Sequence, residues 1–231
     1  MRAFLYIIVS ILIVMPFKGV SQKYKNKEVS LISFTISIHP ETKIFLDQFE
    51  NQFQSVKNNN ADKIISKIKE QAWGSLVDSL QQGMGMIILP ISTFGAKIGY
   101  DAYNFPDVSI TRAQRIGYSR FYIRIDLAIG PEILPPNSSF KTKNDTALQK
   151  LKIKEGEIKP VVTLTITCYP ENGILPVGKY IGSAQASTVW ISENASILDG
   201  LVNTDVKTDL STLMSLIKEA IFDAIINMQI K

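Results

Sequence analysis

A chain of 231 residues carries one imidazole, His39, and one thiol, Cys168. A nucleophilic triad would have to be built on His39, which ends a strand-like run and is followed by Pro40 and Glu41. No Gly-x-Ser-x-Gly turn is present to present a serine to it, so His39 reads as an edge or surface histidine. Cys168 alternates with Val162, Leu164 and Ile166. It therefore reads as a small core hydrophobe, since a reactive thiolate needs exposure and a basic neighbour. A lone Cys excludes an internal disulfide and a thiolate metal cluster, and a lone His removes most histidine-rich metal sites. Asp101, Asp107, Asp126, Asp199, Asp205 and Asp209 follow neither a calcium-loop nor a His-Glu-x-x-His spacing, and Gly83-Met84-Gly85 lacks the lysine of a phosphate loop. No metal and no cofactor are expected.

The segment from Lys97 to Arg124 holds the one constellation with binding chemistry. It interleaves Tyr100, Tyr103, Phe105, Tyr118 and Tyr122 with Lys97, Arg112, Arg115, Arg120 and Arg124. Aromatic faces stack on rings and cations, and guanidinium forks bind carboxylate or phosphate. Glycan, lipid headgroups or an acidic protein would suit such a surface. Lys97, Tyr100, Tyr103, Arg120, Tyr122 and Arg124 are the candidate contact residues, with Arg120, Tyr122 and Arg124 at the centre. The bland account is a solvated sheet face with loop aromatics folded beneath it.

The first residues read as an address. Met1-Arg2 is a short basic start, an apolar run follows from Phe4 to Met15, and Pro16 interrupts it. Gly19 and Ser21 then stand at the −3 and −1 positions of a cut after Ser21, the layout of a secretory signal. A retained anchor is the rival, but the stretch from Ala3 to Val20 contains Pro16 and Lys18 and falls short of the roughly 20 apolar residues a span needs. Cleavage takes away Arg2 and Lys18 and no acid, so the formal charge drops from +4 to +2. A nearly neutral exported chain is a poor nucleic-acid partner. Asn137, Asn144 and Asn194 begin N-glycosylation patterns, which matter only in a eukaryotic secretory route.

Residues 22–231 read as a single domain, long enough to bury a core. Val29–Ile38 alternates as a half-buried strand with Ile32, Phe34, Ile36 and Ile38 on one face. Glu41–Val56 and Ala61–Gln82 carry helical stripes, the second with Asn60 as its expected cap. Gly83–Pro106 reads as a buried helix end followed by a loop or a short strand. Tyr118–Ile129 is a strand closed by Gly130-Pro131, and Asp145–Lys152 a short helix. Val161–Tyr169 and Tyr180–Ser192 flank the turn Pro170-Glu171-Asn172-Gly173 as a hairpin. Small residues at Gly182, Ala184 and Ala186 let a helix approach closely, and the last helix, from about Thr204 to Met228, is the expected visitor.

That order predicts an α+β two-layer sandwich, with a mainly antiparallel sheet of about four strands and helices packed on one face. With no catalytic set in view, the leading expectation is an exported non-enzymatic module of the cell envelope, periplasmic or secreted. It would act through an envelope protein or surface component. Two other classes stand beside it. One is a small-molecule or lipid-binding envelope protein using the Met-rich Gly83–Gly99 segment as a wall or gate. The other is a hydrolase built on two carboxylates.

Overall fold

The computed structural model describes residues 23–49, 62–117, 119–131, 157–191, 198, 201 and 212–230. The expected leader, Tyr118, the 145–152 helix, the three glycosylation patterns and the first turns of the last helix lie outside the described residues.

Seven strands and four α-helices are described: β1 (Glu28–Ile38), α1 (Pro40–Asp47), α2 (Lys63–Met84), β2 (Ile87–Ile88), α3 (Ile110–Ile116), β3 (Phe121–Pro131), β4 (Glu157–Ile158), β5 (Pro160–Pro170), β6 (Gly178–Gln185), β7 (Trp190–Ile191) and α4 (Leu213–Ile230). Five strands form one curled sheet in the order β2-β1-β3-β5-β6, and β4 pairs with β7 in a two-stranded ribbon. The fold is thus mixed α/β. The sheet has five strands and is mixed: β3–β5 and β5–β6 are antiparallel, as expected, but β1 runs parallel to both β2 and β3. The reason is connectivity. A chain that leaves β1 through helices can return in the same direction, whereas the tight 171–177 turn forces β6 to reverse.

Packing follows from the side-chain periods. The α2 residues Ile64, Ile68, Ala72, Leu76 and Leu80 are buried against one sheet face, which offers Ile123, Ile125, Leu164 and Ile166. α4 lies on the same face. The helices are nevertheless not all on one side, because α3 and the loop before it cover part of the other face. There Ile32, Phe94, Ile98, Val108, Ala113 and Tyr122 make a second, smaller core. A bulge in β1 supplies it. The register steps from Leu31↔Ile123 to Ser33↔Arg124, leaving Ile32 as the extra residue. Leu31 and Phe34 consequently share the main core, while Ile32 turns to the opposite side, out of the simple alternation expected from the sequence.

The chain ends its elements by identifiable devices. Asp62 caps α2, its carboxylate accepting from the Ile65 N–H at 3.0 Å, and the same carboxylate pairs with Lys43 at 2.7 Å. Asn60, the expected cap, lies outside the described residues. Gly85 closes α2 at φ +65°, a left-handed conformation that glycine adopts without penalty. Gly130 and Pro131, expected to end β3, are still paired with Val161 and Pro160. The expected strand Tyr180–Ser192 is divided into β6 and β7. Among the described residues, no helix is long and apolar enough to cross a membrane.

The cap carries a prediction. Burial alone pushes the Asp62 carboxyl up, but the Lys43 ammonium and the Ile65 N–H outweigh it, holding the group below its ordinary value of 3.8. Asp62→Ala should cost about 1 kcal/mol in denaturant unfolding at neutral pH. A depressed folded pKa contributes stability above the unfolded value and loses it as pH falls through the folded one. The difference between wild type and variant should therefore hold at pH 5–7 and shrink with acidification below about pH 4.

Candidate functional site

The two outer edges of the five-stranded sheet are treated differently. β6 forms one edge, and α4 covers it chemically: the Ser183 N–H donates to the Asp223 carboxylate at 3.0 Å, and the Asn227 amide donates to the Ile181 carbonyl at 2.9 Å. The other edge is β1 beyond the reach of the two-residue β2. Its first half is satisfied by Glu28↔Ile87 and Val29↔Ile88, then by Ser33↔Asp107 and a Val108 N–H bond to the Ile32 carbonyl at 3.1 Å. From Phe34 to Ile38, no strand pairs with that side of β1 among the described residues.

Along this open stretch runs a groove of about 400 Å³. Its back wall is Ser33 to Ile36 of β1, its floor is Ile65 and Lys69 of α2, and its far wall is Asp101, Tyr103, Pro106 and Asp107. The far wall is a tightly wound loop. The Asp101 carboxylate accepts from the Tyr103 and Phe105 N–H groups at 2.9 Å each, and Asn104 takes a left-handed φ of +64°. The second oxygen of that carboxylate holds the Lys69 ammonium. Lys69 is only 3% exposed, and three rings surround its nitrogen: Tyr103 at 4.9 Å, Phe105 at 5.2 Å and Phe34 at 5.6 Å. Cation and rings together fasten the loop to α2 and give the groove a rigid wall.

Two aspartates, Asp101 and Asp107, meet at this groove. A carboxylate pair doing acid/base work needs at least one free oxygen that can take a proton and pass it on. Asp101 spends both oxygens on three donors, which leaves the exposed Asp107 as the available carboxylate. Among the described residues, the groove therefore presents Asp107 as a free negative charge beside an unpaired strand edge.

The residues expected to form a contact surface are distributed over three places. Tyr103 belongs to the groove. Tyr100 packs on the second core and donates to the Gly95 carbonyl at 3.1 Å. Lys97 has an exposed side chain, and its carbonyl accepts from Arg112 at 2.8 Å. Arg120 pairs with Glu171 at 2.6 Å, and Arg124 with Asp126 at 3.2 Å. Tyr122 is not a surface residue. It is 1% exposed, stacked at 6.5 Å under Phe94, because the loop before α3 folds over the outer face of β3 at that point. Burial raises its hydroxyl pKa. An Arg120–Tyr122–Arg124 patch is thus interrupted at its centre.

No protein-family model matches the chain, and no curated protein sequence does. Among solved structures, a hypothetical protein of Chlamydia trachomatis, CT253, is similar at 9% identity and a TM-score of 0.40, over 89% of this chain and 99% of that one. A putative neuraminyllactose-binding hemagglutinin homolog from Helicobacter pylori gives 11% identity and a TM-score of 0.34, over 91% and 85%. The PelC dodecamer from Paraburkholderia phytofirmans gives 12% and 0.30, over 85% and 87%.

The lone histidine and thiol have definite positions. His39 is exposed at the rim of a second concavity of about 660 Å³, whose other polar linings are Ser37, Thr163 and Gln185, with no carboxylate among the described lining residues. Cys168 is fully buried in the main core beside the hydrogen-bonded Tyr24 and Tyr180 hydroxyls, which lie 2.8 Å apart. Burial pushes the thiol up to about 12. The native protein should therefore resist alkylation by iodoacetamide at pH 8, and label at one site once unfolded in guanidinium. Rapid labelling of the folded chain would contradict the burial. Met84 and Met86 of the supposed gate are also buried in this core, where they fill space.

The groove was not among the sequence candidates, apart from Tyr103. One signal was available: Lys69 stands within the apolar stripe of α2, and a lysine there requires a partner anion.

Proposed function

We propose that this protein is an exported interaction module of the cell envelope that captures an extended peptide segment by strand addition along β1. One observation carries this reading. One edge of the sheet is stoppered by α4 side chains, while among the described residues the other has no partner strand from Phe34 to Ile38 and is lined by a preformed groove. Open edges are hazards that proteins ordinarily cover or charge; leaving one bare beside a rigid pocket favours use. In such recognition the main-chain ladder supplies affinity, and pockets for alternate side chains supply choice. Lys69 and Asp101 neutralise each other, so Asp107 sets the sign at the rim. The preferred segment carries a basic residue facing it. Export rests on the leader pattern of residues 1–21.

A displayed library of ten-residue peptides tests the reading. Enriched peptides should alternate in polarity, include Lys or Arg, and slow amide exchange at Thr35–Ile38. Asp107→Lys should weaken their binding by about tenfold, the size of one close charge pair at an interface. Enriched peptides whose protection maps elsewhere, or whose affinity ignores Asp107→Lys, would refute the site.

A further inference from the structure

The turn between β5 and β6 is built from residues that turns rarely show. After Glu171-Asn172-Gly173 come Ile174, Leu175, Pro176 and Val177. Ile174 is 62% exposed, Leu175 77% and Val177 37%. Hairpin tips are normally polar, because their backbone already faces water. This tip is also held in place. The Gln114 amide of α3 donates to the carbonyls of Pro170 at 2.9 Å and Gly173 at 2.8 Å. The Lys23 ammonium donates to the Val177 carbonyl at 2.9 Å, and Arg120 holds Glu171. Aliphatic side chains are therefore displayed on a fixed support.

The charges around the tip have one dominant sign. Pairing of Val29 with Phe121, Phe121 with Pro170 and Cys168 with Gly178 places the starts of β1, β3 and β6 at the same end of the sheet as the tip. Exposed Lys23, Lys25, Lys27, Arg120 and Lys179 lie at this end, against Glu28 and Glu171. The leader expected from the sequence ends at Ser21, two residues before Lys23. Such a leader would be processed at a membrane, and cleavage after Ser21 would leave Gln22 as the new N-terminus, next in sequence to Lys23, which is bonded to the Val177 carbonyl.

From these placements we propose that the β5–β6 tip is a membrane-docking element. Ile174, Leu175 and Val177 enter the interface of a bilayer, and the surrounding lysines contact anionic phospholipid headgroups. Apolar insertion and electrostatic attraction each give only weak attachment, and together they give a reversible one. The open half of β1 lies toward the opposite end of the sheet, so a docked domain keeps its groove turned away from the lipid. The docking element stands whether or not the groove binds peptide.

Vesicle sedimentation tests it, using the chain from Gln22 onward, which contains every residue of both cores and lacks the apolar leader. The chain should pellet with phosphatidylcholine vesicles containing phosphatidylglycerol, and weakly with phosphatidylcholine alone. Leu175→Asp should lower binding at least tenfold, and Lys179→Glu about fivefold or more, as expected for one cation near an anionic surface. Both side chains are exposed, so the thermal melts should match that of the wild type. Leu175→Trp should shift its emission to the blue when anionic vesicles are added. Absence of pelleting with either vesicle, or pelleting indifferent to Leu175→Asp, would overturn the proposal. A blue shift that follows protein concentration without lipid would also overturn it, assigning the tip to a second copy of the chain.

Discussion

Asp101→Ala should destabilise the protein by about 3–5 kcal/mol, the range for removing one partner of a buried ion pair. The cost arises at Lys69, not at Asp101. The ammonium has water on almost no side, and without the carboxylate it is left with only the faces of Phe34, Tyr103 and Phe105. Three rings attract a cation, but they do not replace a full counter-charge. The variant also frees the Tyr103 and Phe105 N–H groups, which loosens the loop that walls the groove. Two further variants separate these effects. Asp101→Asn keeps an acceptor for both N–H groups while removing the charge. Lys69→Met removes the buried cation and keeps much of its volume. The double variant Lys69→Met/Asp101→Asn should recover most of the loss, because a pair replaced by neutral groups of similar shape carries little penalty. Urea unfolding of the wild type, Asp101→Asn, Lys69→Met and the double variant forms a cycle whose coupling term is read directly. A loss under 1 kcal/mol for Asp101→Ala would mean that Lys69 reaches water, and the rigid wall would have to be abandoned.

The same pair shows what the sequence could and could not reveal. Period-two and helical patterns located the central strands and the α2 helix within a few residues, since those patterns record which faces meet the core. Where one residue shifts the phase, the pattern misleads. The bulge at Ile32 places Leu31 and Phe34 on one face, and no local property of Val29–Ile38 announces it. Strand direction was equally hidden, because pairing partners are set by how α1 and α2 return the chain. Tyr122 illustrates a third limit. Alternation correctly places it opposite Ile123, but whether that face is wet depends on a loop 28 residues earlier, where Phe94 comes down over it. The groove fared worse than the folded elements. It combines a strand edge with no partner among the described residues, a buried lysine and a loop aspartate, and these meet only when the sheet is assembled. Lys69 in an apolar stripe was the trace the sequence did hold.

The contact between β6 and α4 was legible, and it supports the second large expectation. A methyl group added at Gly182 would fall within the van der Waals envelopes of the Ala220 carbonyl oxygen and the Ala224 nitrogen, with the Ala224 Cα at 2.9 Å. These are backbone atoms of a helix, so no side-chain rotation relieves the collision. Gly182→Ala should therefore lie at the upper end of overpacking costs, about 3 kcal/mol, or a melting temperature roughly 6–12 °C lower for a chain of this size. It should also disturb the Asp223 and Asn227 bonds that stopper the β6 edge, since both residues share the displaced helix. Faster amide exchange at Ile181–Ser183 would report that directly. Gly74→Ala is the control. Gly74 is exposed in the middle of α2 with no atom within 4 Å of an added Cβ, and alanine there should stabilise the protein by about 1 kcal/mol. Both substitutions restrict the unfolded chain in the same way. Opposite signs for the two would isolate the helix–sheet approach as the cause. Equal signs would show that α4 can retreat from β6 at little cost, and that the edge is less firmly closed than its hydrogen bonds indicate.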